Sequence, residues 1–562
     1  MRKILSLLAA LTVTTSATSS VVACERKPVK DKEYIVPEIN DELYTTVFHQ
    51  QNPTQGMMND IQGGYFDEVK QEWHVYFLQN EDGRFDKYGF NHGEKGSVWY
   101  HAITKDWINW ENVGPGVPKT IENFTDQASG SLFKDTKNLF GLDKDYVEGQ
   151  GDAKTLVAVS TNYNGDQNQD IMMFYSVDGG YSFTTVKDEL ILKNPNREKN
   201  NNFRDPFFFY NEETKHFVMY IARGDYYSVY ASDKPTEGYK EVENGKVPAD
   251  HPTLECSNLY QMNVKNEDGS VEKKWVLIYG GNGEWDTDKY QDNLTSGTYY
   301  AVGEMKGDVF VQDKEKNPTK RLDFGPDYYA SNFYTKNKNN TDVDSLLTTG
   351  WMSNWEYNYQ VPNDGRIGYM SLAREITLTK KNNDYVMETN FVDIWSDGKS
   401  KGNTKATKHT SGNYKNDTNF FEENSDLDSK AFKLDLDIKN LKDYKDSIKL
   451  KIGDDQYSAN VDLDFKNNKI TVKRDLNIKL AYENSDKQFK KARSYKADLN
   501  TLESGKIEIY LDKTTLEFKF PDGSVYTMLK FPDAISKEDI HLTTTSDLGV
   551  TFNYYQFEKT QG

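Results

Sequence analysis

Ser176-Val177-Asp178-Gly179-Gly180-Tyr181-Ser182-Phe183 is the stretch on which the reading of the fold turns. Its serine and aspartate can bond turn backbone, two glycines follow, and an aromatic is placed to pack below the turn. Asp-Gly-Gly alone predicts a tight type I′-like hairpin, at home in any β fold. The whole octapeptide resembles the hairpin turn called an Asp-box and favours a propeller, although one copy does not fix a blade count.

Outward from this turn, short aromatic or β-branched runs alternate with Gly, Asn and Asp from about Glu38 onward. They include Glu72 to Leu78, Leu156 to Ser160, Ile171 to Tyr175, His216 to Ile221, Lys274 to Tyr279 and Gly297 to Val302. Long helical periodicity is scarce, so the pattern predicts an all-β barrel, sandwich or propeller. After Leu378 the chain turns to Lys, Asn, Asp and Ser, and 381–428 reads as boundary and surface loop. Alternation resumes at Ala431 to Ile438, Ser447 to Ile452, Lys469 to Val472, Lys506 to Leu511 and Thr515 to Phe520, which predicts a smaller β-sandwich over 429–562.

With 562 residues the chain exceeds what one core usually organises, so two domains are expected after any leader. The formal charge of -19 gives a field that repels phosphate backbones and anionic lipid surfaces, which argues against a nucleic-acid partner. Aromatics at 13% and abundant acids suit a neutral sugar, whose C–H faces stack on rings and whose hydroxyls donate to carboxylates.

Residues 1–24 read as an export signal: Arg2 and Lys3, an apolar stretch from Ile4 to Val13, then Val21-Val22-Ala23-Cys24. Small residues before a cysteine resemble the bacterial lipobox, which implies a lipid-modified Cys24 tethering the protein to the extracellular face of a bacterial membrane, with 25–40 as linker. Ordinary cleavage with Cys24 incidental is the alternative. Cys256 is the other cysteine, so no disulfide is expected. Beyond the leader no apolar run approaches the roughly 20 residues that span a bilayer, so the lipid anchor is the expected membrane contact. Eight histidines show no H-E-x-x-H pattern and nothing Gly-rich resembles a phosphate cradle, so neither metal nor cofactor is expected.

Three acids stand inside apolar or aromatic segments, where an unpaired carboxylate is costly to bury. Asp60 lies in Gly56-Met57-Met58-Asn59-Asp60-Ile61-Gln62-Gly63, Asp205 in Phe203-Arg204-Asp205-Pro206, and Glu255 in Leu254-Glu255-Cys256. Singly, each is more simply a turn residue or an ion-pair partner.

In this order the three segments resemble glycoside hydrolase family 32, the invertases, inulinases and levanases. The family's W-M-N-D-P-N-G motif corresponds to Met57 through Gly63, R-D-P to Arg204 through Pro206, and E-C to Glu255-Cys256. Trp73 to Gln79, Trp99 to Asp106, Ala128 to Ser131, Asp323 to Ala330, Gly350 to Trp355, Ser371 to Glu375 and Tyr510 to Glu517 continue the resemblance from about residue 41 to 532. It implies an all-β fold, a five-bladed β-propeller over 41–380 followed by a C-terminal β-sandwich.

The resemblance further implies a retaining hydrolase of fructans or sucrose, with Asp60 as nucleophile, Glu255 as acid/base and Asp205 holding fructosyl hydroxyls. Glu255 must then carry a proton near working pH, a demand that burial and neighbouring negative charge help to meet. Asn59, Gln79, Trp99, Ser129 and Arg204 are implied to bind substrate, with Arg204 keeping Asp205 ionised. Met57 and Ile61-Gln62 depart from the family pattern at the expected loop edge of the pocket and put the leaving-group preference in question, with levan favoured. An inverting five-bladed hydrolase, with carboxyls roughly 6.5 to 9.5 Å apart, is one rival. A levan fructosyltransferase with the same triad is another, and a non-catalytic fructan-binding lipoprotein a third.

Overall fold

The structure, a computed structural model, describes residues 37–559 except 87–88, 95, 120–125, 164–167, 267, 283–293, 295, 313, 337–338, 395–398, 534–537 and 547. The leader, Cys24 and most of the expected linker lie outside the described residues.

Each period-two run forms a strand, and hairpins join neighbours into antiparallel sets. The first set is Gly56–Asp67, Glu72–Asn80, Val98–Thr104 and Trp110–Val117; the second is Asp126–Asp135, Thr155–Tyr163, Gln169–Ser176 and Thr184–Thr185. Arg204–Asn211, His216–Ala222, Tyr226–Ser232 and Lys240–Pro248 make the third. Thr253–Lys265, Val271–Asn282, Gly297–Lys306 and Val309–Gln312 make the fourth; Tyr329–Tyr334, Leu346–Trp351, Arg374–Lys381 and Asp384–Phe391 make the fifth.

These are the five blades of a β-propeller. First strands of successive blades lie against one another, and that of the fifth returns to that of the first. Parallel pairing of Val264 with Leu378 and Lys265 with Thr379 fuses blades four and five into one sheet. Arg366–Ile367 closes the ring by pairing in parallel with Gly56 and Met57. Apolar cores fill the seams, as where Phe133, Val159, Phe208 and Met219 meet between blades two and three.

The octapeptide of the opening forms the hairpin between the last two strands of blade two. Asp178 Oδ1 accepts from the Tyr181 and Ser182 amides at 3.0 and 3.2 Å, Ser176 Oγ accepts from the Gly180 amide at 2.9 Å, and Phe183 is buried against Tyr76.

A sandwich of a six-stranded and a five-stranded sheet follows. Its core holds Leu434, Leu436, Ile448, Leu450, Val461 and Ile509, each worth about 1.5–3 kcal/mol when fully buried. The stretch 381–428, expected to be boundary and loop, contains two strands: Asp384–Phe391 in blade five, and Thr404–Asn413 paired with Val550–Lys559 in the sandwich. Polar residues on their outward faces hid the alternation, because a strand at a sheet margin buries at most one face.

One buried ionic network joins the sandwich to both ends of the propeller ring. Glu517 Oε1 accepts from His49 Nε2 at 2.9 Å and from the Leu372 amide at 2.8 Å, while Oε2 accepts from Arg374 Nη2 at 2.5 Å. Arg374 Nη1 donates to Asp323 at 2.7 Å, and Asp512 accepts from the Phe48 and His49 amides at 2.8 and 2.9 Å. His49 precedes the first blade and Arg374 lies in the fifth, so a sandwich strand latches the two ends together.

Both ring nitrogens of His49 face carboxylates, with Nδ1 3.2 Å from Asp512, which favours imidazolium. Burial opposes that charge, but the bonds and charges of Asp512 and Glu517 outweigh it and raise the pKa above 6.5. Burial likewise opposes ionised Glu517, and Arg374 and His49 outweigh it and lower its pKa below 4.5. The raised His49 value makes its contribution full below about pH 6.5 and progressively lost as pH rises through the folded value; the lowered Glu517 value makes its contribution fade only as pH falls below about 4.5. His49→Gln is therefore expected to cost about 3 kcal/mol near pH 6, with a deficit that shrinks toward pH 9. Thermal unfolding of both proteins across that range checks it, and a deficit that grows with pH would contradict the imidazolium.

Candidate active site

A one-residue bulge interrupts the first strand of each blade at the same level. Pairing slips between Met58 and Ile61, Ala128 and Gly130, Arg204 and Phe207, Glu255 and Asn258, and Tyr329 and Asn332. Each slip sets one more residue on the inner strand than on its partner, which bends the strand and re-aims side chains. The residues at the bulges are Asn59-Asp60, Ser129, Asp205-Pro206, Cys256-Ser257 and Ala330-Ser331. Pro206 has no N–H to give a ladder, which explains the third slip locally. Asp205, Cys256 and Ala330 hold left-handed φ values of 56°, 47° and 42°, a strained region for side-chain-bearing residues.

The bulges bring the three acids into one cluster. Cys256 touches two of them: its amide donates to Asp205 Oδ2 at 3.2 Å and its thiol lies 3.7 Å from Asp60 Oδ2. Arg204 spans the other pair, with Nη2 3.1 Å from Glu255 Oε1 and Nε 3.8 Å from Asp205 Oδ2. Its closer partner is thus Glu255, while its charge also pulls Asp205 toward the ionised form.

Asp60 is held by neutral donors, Ser129 Oγ at 2.6 Å and Asn59 Nδ2 at 3.1 Å. Burial pushes its pKa up to about 6; the Ser129 bond opposes the rise and the charge of Glu255 adds to it. Asp205 is also pushed up, by burial first and by Glu255 and Asp60, against the pull of Arg204. Glu255 accepts at both oxygens, Oε1 from Arg204 and Oε2 from Tyr329 at 2.6 Å. Burial and the charge of Glu255 drive the Tyr329 hydroxyl well above its usual range, so it stays a donor.

Of the other expected ligands, Ser129 and Asn59 touch Asp60. Gln79 is fully buried; it donates to Asn52 and Thr54 at 2.9 and 2.6 Å, and its Oε1 has no hydrogen bond among the described residues. Trp99 is wholly buried too, with its indole N–H given to the Ala128 carbonyl at 3.0 Å. It braces the Ser129 bulge from behind rather than presenting a face to a ligand.

Met57 and Ile61-Gln62, expected at the pocket edge, are buried. Gln62 donates to the Asp60 carbonyl at 2.9 Å and accepts from the Gly130 amide at 2.7 Å, tying the bulges of blades one and two together. Two contributors went unassigned in the sequence. Tyr329 stood in a quoted segment without a role, and Thr161, whose Oγ1 accepts from the Asp205 amide at 2.7 Å, gave no signal because its partner lies in another blade.

A carboxyl kept by neutral donors, a second crossed by a cation and a hydroxyl, and a third between them can supply nucleophile, proton carrier and hydroxyl acceptor for glycosyl transfer. Fold and cluster together are of the glycoside-hydrolase kind. Residues 49–389 match the glycosyl hydrolases family 32 N-terminal domain, and the chain belongs to that family.

Among curated proteins the chain is similar to the levanbiose-producing levanase of Bacillus subtilis, 27% identical over 347 residues that cover 61% of this chain and 60% of that protein. It is also similar to invertase 2 of Saccharomyces cerevisiae, 28% identical over 536 residues that cover 88% and 89%. A variant fructofuranosidase from Schwanniomyces occidentalis, solved with fructosylnystose, superposes with a TM-score of 0.71 at 20% identity over 94% of this chain and all of that one. The chain spans about three fifths of the length of the levanase it matches.

Because burial raises Asp60 from 3.8 to about 6, its ionisation opposes folding, and the penalty appears as pH climbs through that window. Asp60→Asn is expected to stabilise the fold by on the order of 2–3 kcal/mol above pH 6, the gain vanishing below about pH 4. Melting curves at pH 4 and 7.5 check this, and a variant less stable than wild type at pH 7.5 would show that the neutral donors already outweigh desolvation.

Proposed function

We propose that this chain is a retaining β-fructofuranosidase that hydrolyses fructans and sucrose-type substrates, acting on levan in preference. The observation that carries the reading is the coupled cluster in which Cys256 and Arg204 join Asp60, Asp205 and Glu255, on segments that match the family. Asp60 attacks the anomeric carbon of the fructosyl unit while Glu255 protonates the departing oxygen; water then releases the fructosyl-enzyme, with Glu255 taking its proton. Asp205 accepts from ring hydroxyls, and Ser129 and Asn59 keep the Asp60 carboxylate aimed. Arg204 and Tyr329 hold Glu255 between its protonated and ionised turns.

Levan preference no longer draws support from Met57 and Ile61-Gln62, since these residues brace the site from within. It rests on the similarity to a levanbiose-producing levanase and on the lipobox-like Val21-Val22-Ala23-Cys24. A tether outside the cell suits a polymer too large to import.

Initial rates on levan, inulin and sucrose at low concentration test the reading, because discrimination resides in kcat/KM. Asp60→Asn is expected to lose at least three orders of magnitude in kcat on all three. Near wild-type turnover by that variant would remove the mechanism, and a sucrose value tenfold above that for levan, about 1.4 kcal/mol, would remove the preference alone.

For the anchor, Cys24→Ala is expected to move the protein from the membrane fraction to the medium. A variant that stays as firmly membrane-bound as wild type would defeat the lipobox reading.

A further inference from the structure

The sequence carries no metal motif, yet the first hairpin of the propeller gathers metal-ligating groups on one face. Its register sets Asp67 opposite Glu72 and Tyr65 opposite His74, so two-residue alternation places Asp67, Glu72 and His74 on the same side. One ligand atom from each lies within 4.8 Å of the others. This is the far end of the strand that bears Asp60.

His74 points to a ligand independently of the acids. It is fully buried, and its Nε2 makes no hydrogen bond among the described residues although Glu72 Oε1 stands 3.4 Å away. Its other nitrogen, Nδ1, lies 2.9 Å from His101 Nε2. The proton shared by the two rings can sit on either; with it on Nδ1 and donated to His101, the Nε2 lone pair is turned toward Glu72 and is open to a metal ion.

Asp67 Oδ1 accepts from the Val69 and Lys70 amides at 2.9 and 3.0 Å, bonds that fix the carboxylate at the hairpin turn. Lys70 and Lys105 each stand 3.6 Å from Glu72 with side chains about half exposed. They balance Glu72 when no ion is bound, and their reach lets them swing aside.

We propose that Asp67, Glu72 and His74 form a site for a divalent transition-metal ion of the zinc class. One imidazole with two carboxylates suits such an ion, whereas calcium and magnesium prefer all-oxygen shells. The site adjoins the seam between blades one and two: Tyr181 of the Asp-box hairpin packs edge-on to His74 and His101 at 5.4 and 5.5 Å and accepts from Lys70 at 2.6 Å. A bound ion fixes the first hairpin and, through its strand, the seam that the nucleophile shares with Ser129.

Full-length protein freed of metal by chelator is titrated with Co2+ as a spectroscopic probe, then with Zn2+ as competitor, while the melting temperature is followed. The expected result is one equivalent of Co2+ with absorption more intense than the aqueous ion's, displaced by Zn2+, and a rise in Tm. Asp67→Asn, which keeps the turn acceptor, is expected to weaken binding at least tenfold, and Lys105→Gln to tighten it several-fold. His74→Gln is expected to abolish the signal; should it not fold, the Asp67 variant decides. Absorption no different from aqueous Co2+, or affinity unchanged by Asp67→Asn, would overturn the site.

Discussion

Three carboxyl groups share one largely buried site, and two unit charges about 5 Å apart at an effective dielectric near 20 repel by roughly 3 kcal/mol. The propeller axis cannot hold all three ionised without compensation, and the arrangement of the rest follows from how this is met. Arg204 lies across Glu255 and Asp205, so one cation serves two acids. Asp60 receives neutral donors, Ser129 and Asn59, and among the described residues no guanidinium. A nucleophile needs that treatment: a cation at its oxygens would stabilise the carboxylate and blunt its attack, while a hydroxyl aims it. Burial then raises Asp60 to about 6, still below neutrality, so that the carboxyl remains mostly ionised near pH 7.

Such a division of donors requires side chains from four blades at one depth, which regular strands do not provide. Alternation sends successive side chains to opposite faces of a blade, toward the seams and not along the axis. The extra residue in each inner strand breaks that alternation where the strands converge, and the left-handed backbone at Asp205, Cys256 and Ala330 marks the cost. Gly130 meets the same crowding from another side, since a Cβ there would come within 1.9 Å of the Val159 carbonyl oxygen. The strain is carried by residues whose neighbours are wedged between blades, so it cannot relax without unpacking a seam.

The β-runs, the Asp-box hairpin and the three acid-bearing segments were all legible in the sequence, because each is a local pattern: period two, a turn chemistry, or an acid among apolar residues. Bulges were not legible, since one inserted residue changes register without changing composition. Trp99 shows the limit of reading roles from motif position: a tryptophan at that position reads as a substrate-binding residue of the pocket, yet its ring is enclosed and its N–H is spent on backbone. Ile61-Gln62 misled similarly, for a glutamine after the nucleophile reads as a pocket edge until its amide is seen joining two bulges. Tyr329 and Thr161 depend on partners 74 and 44 residues away, and no local pattern encodes such contacts.

A propeller is a closed ring, and it closes where first and last blades meet, here with two parallel residue pairs between Gly56-Met57 and Arg366-Ile367. Asp60 stands three residues beyond that joint on one side, while Tyr329, the partner of Glu255, belongs to the blade on the other. Opening the joint would separate the nucleophile from the group that holds the acid. The sandwich carries no member of the acid cluster, but Glu517 binds His49 before the first blade and Leu372 and Arg374 at the fifth. A buried ionic latch adds little net stability over an apolar contact of equal volume, because desolvation consumes most of its Coulomb gain. Its directional bonds do fix register, and register at this joint sets the depth at which Asp60 meets the other acids. The sandwich thus acts on the site through the closure of the ring rather than by contact with it.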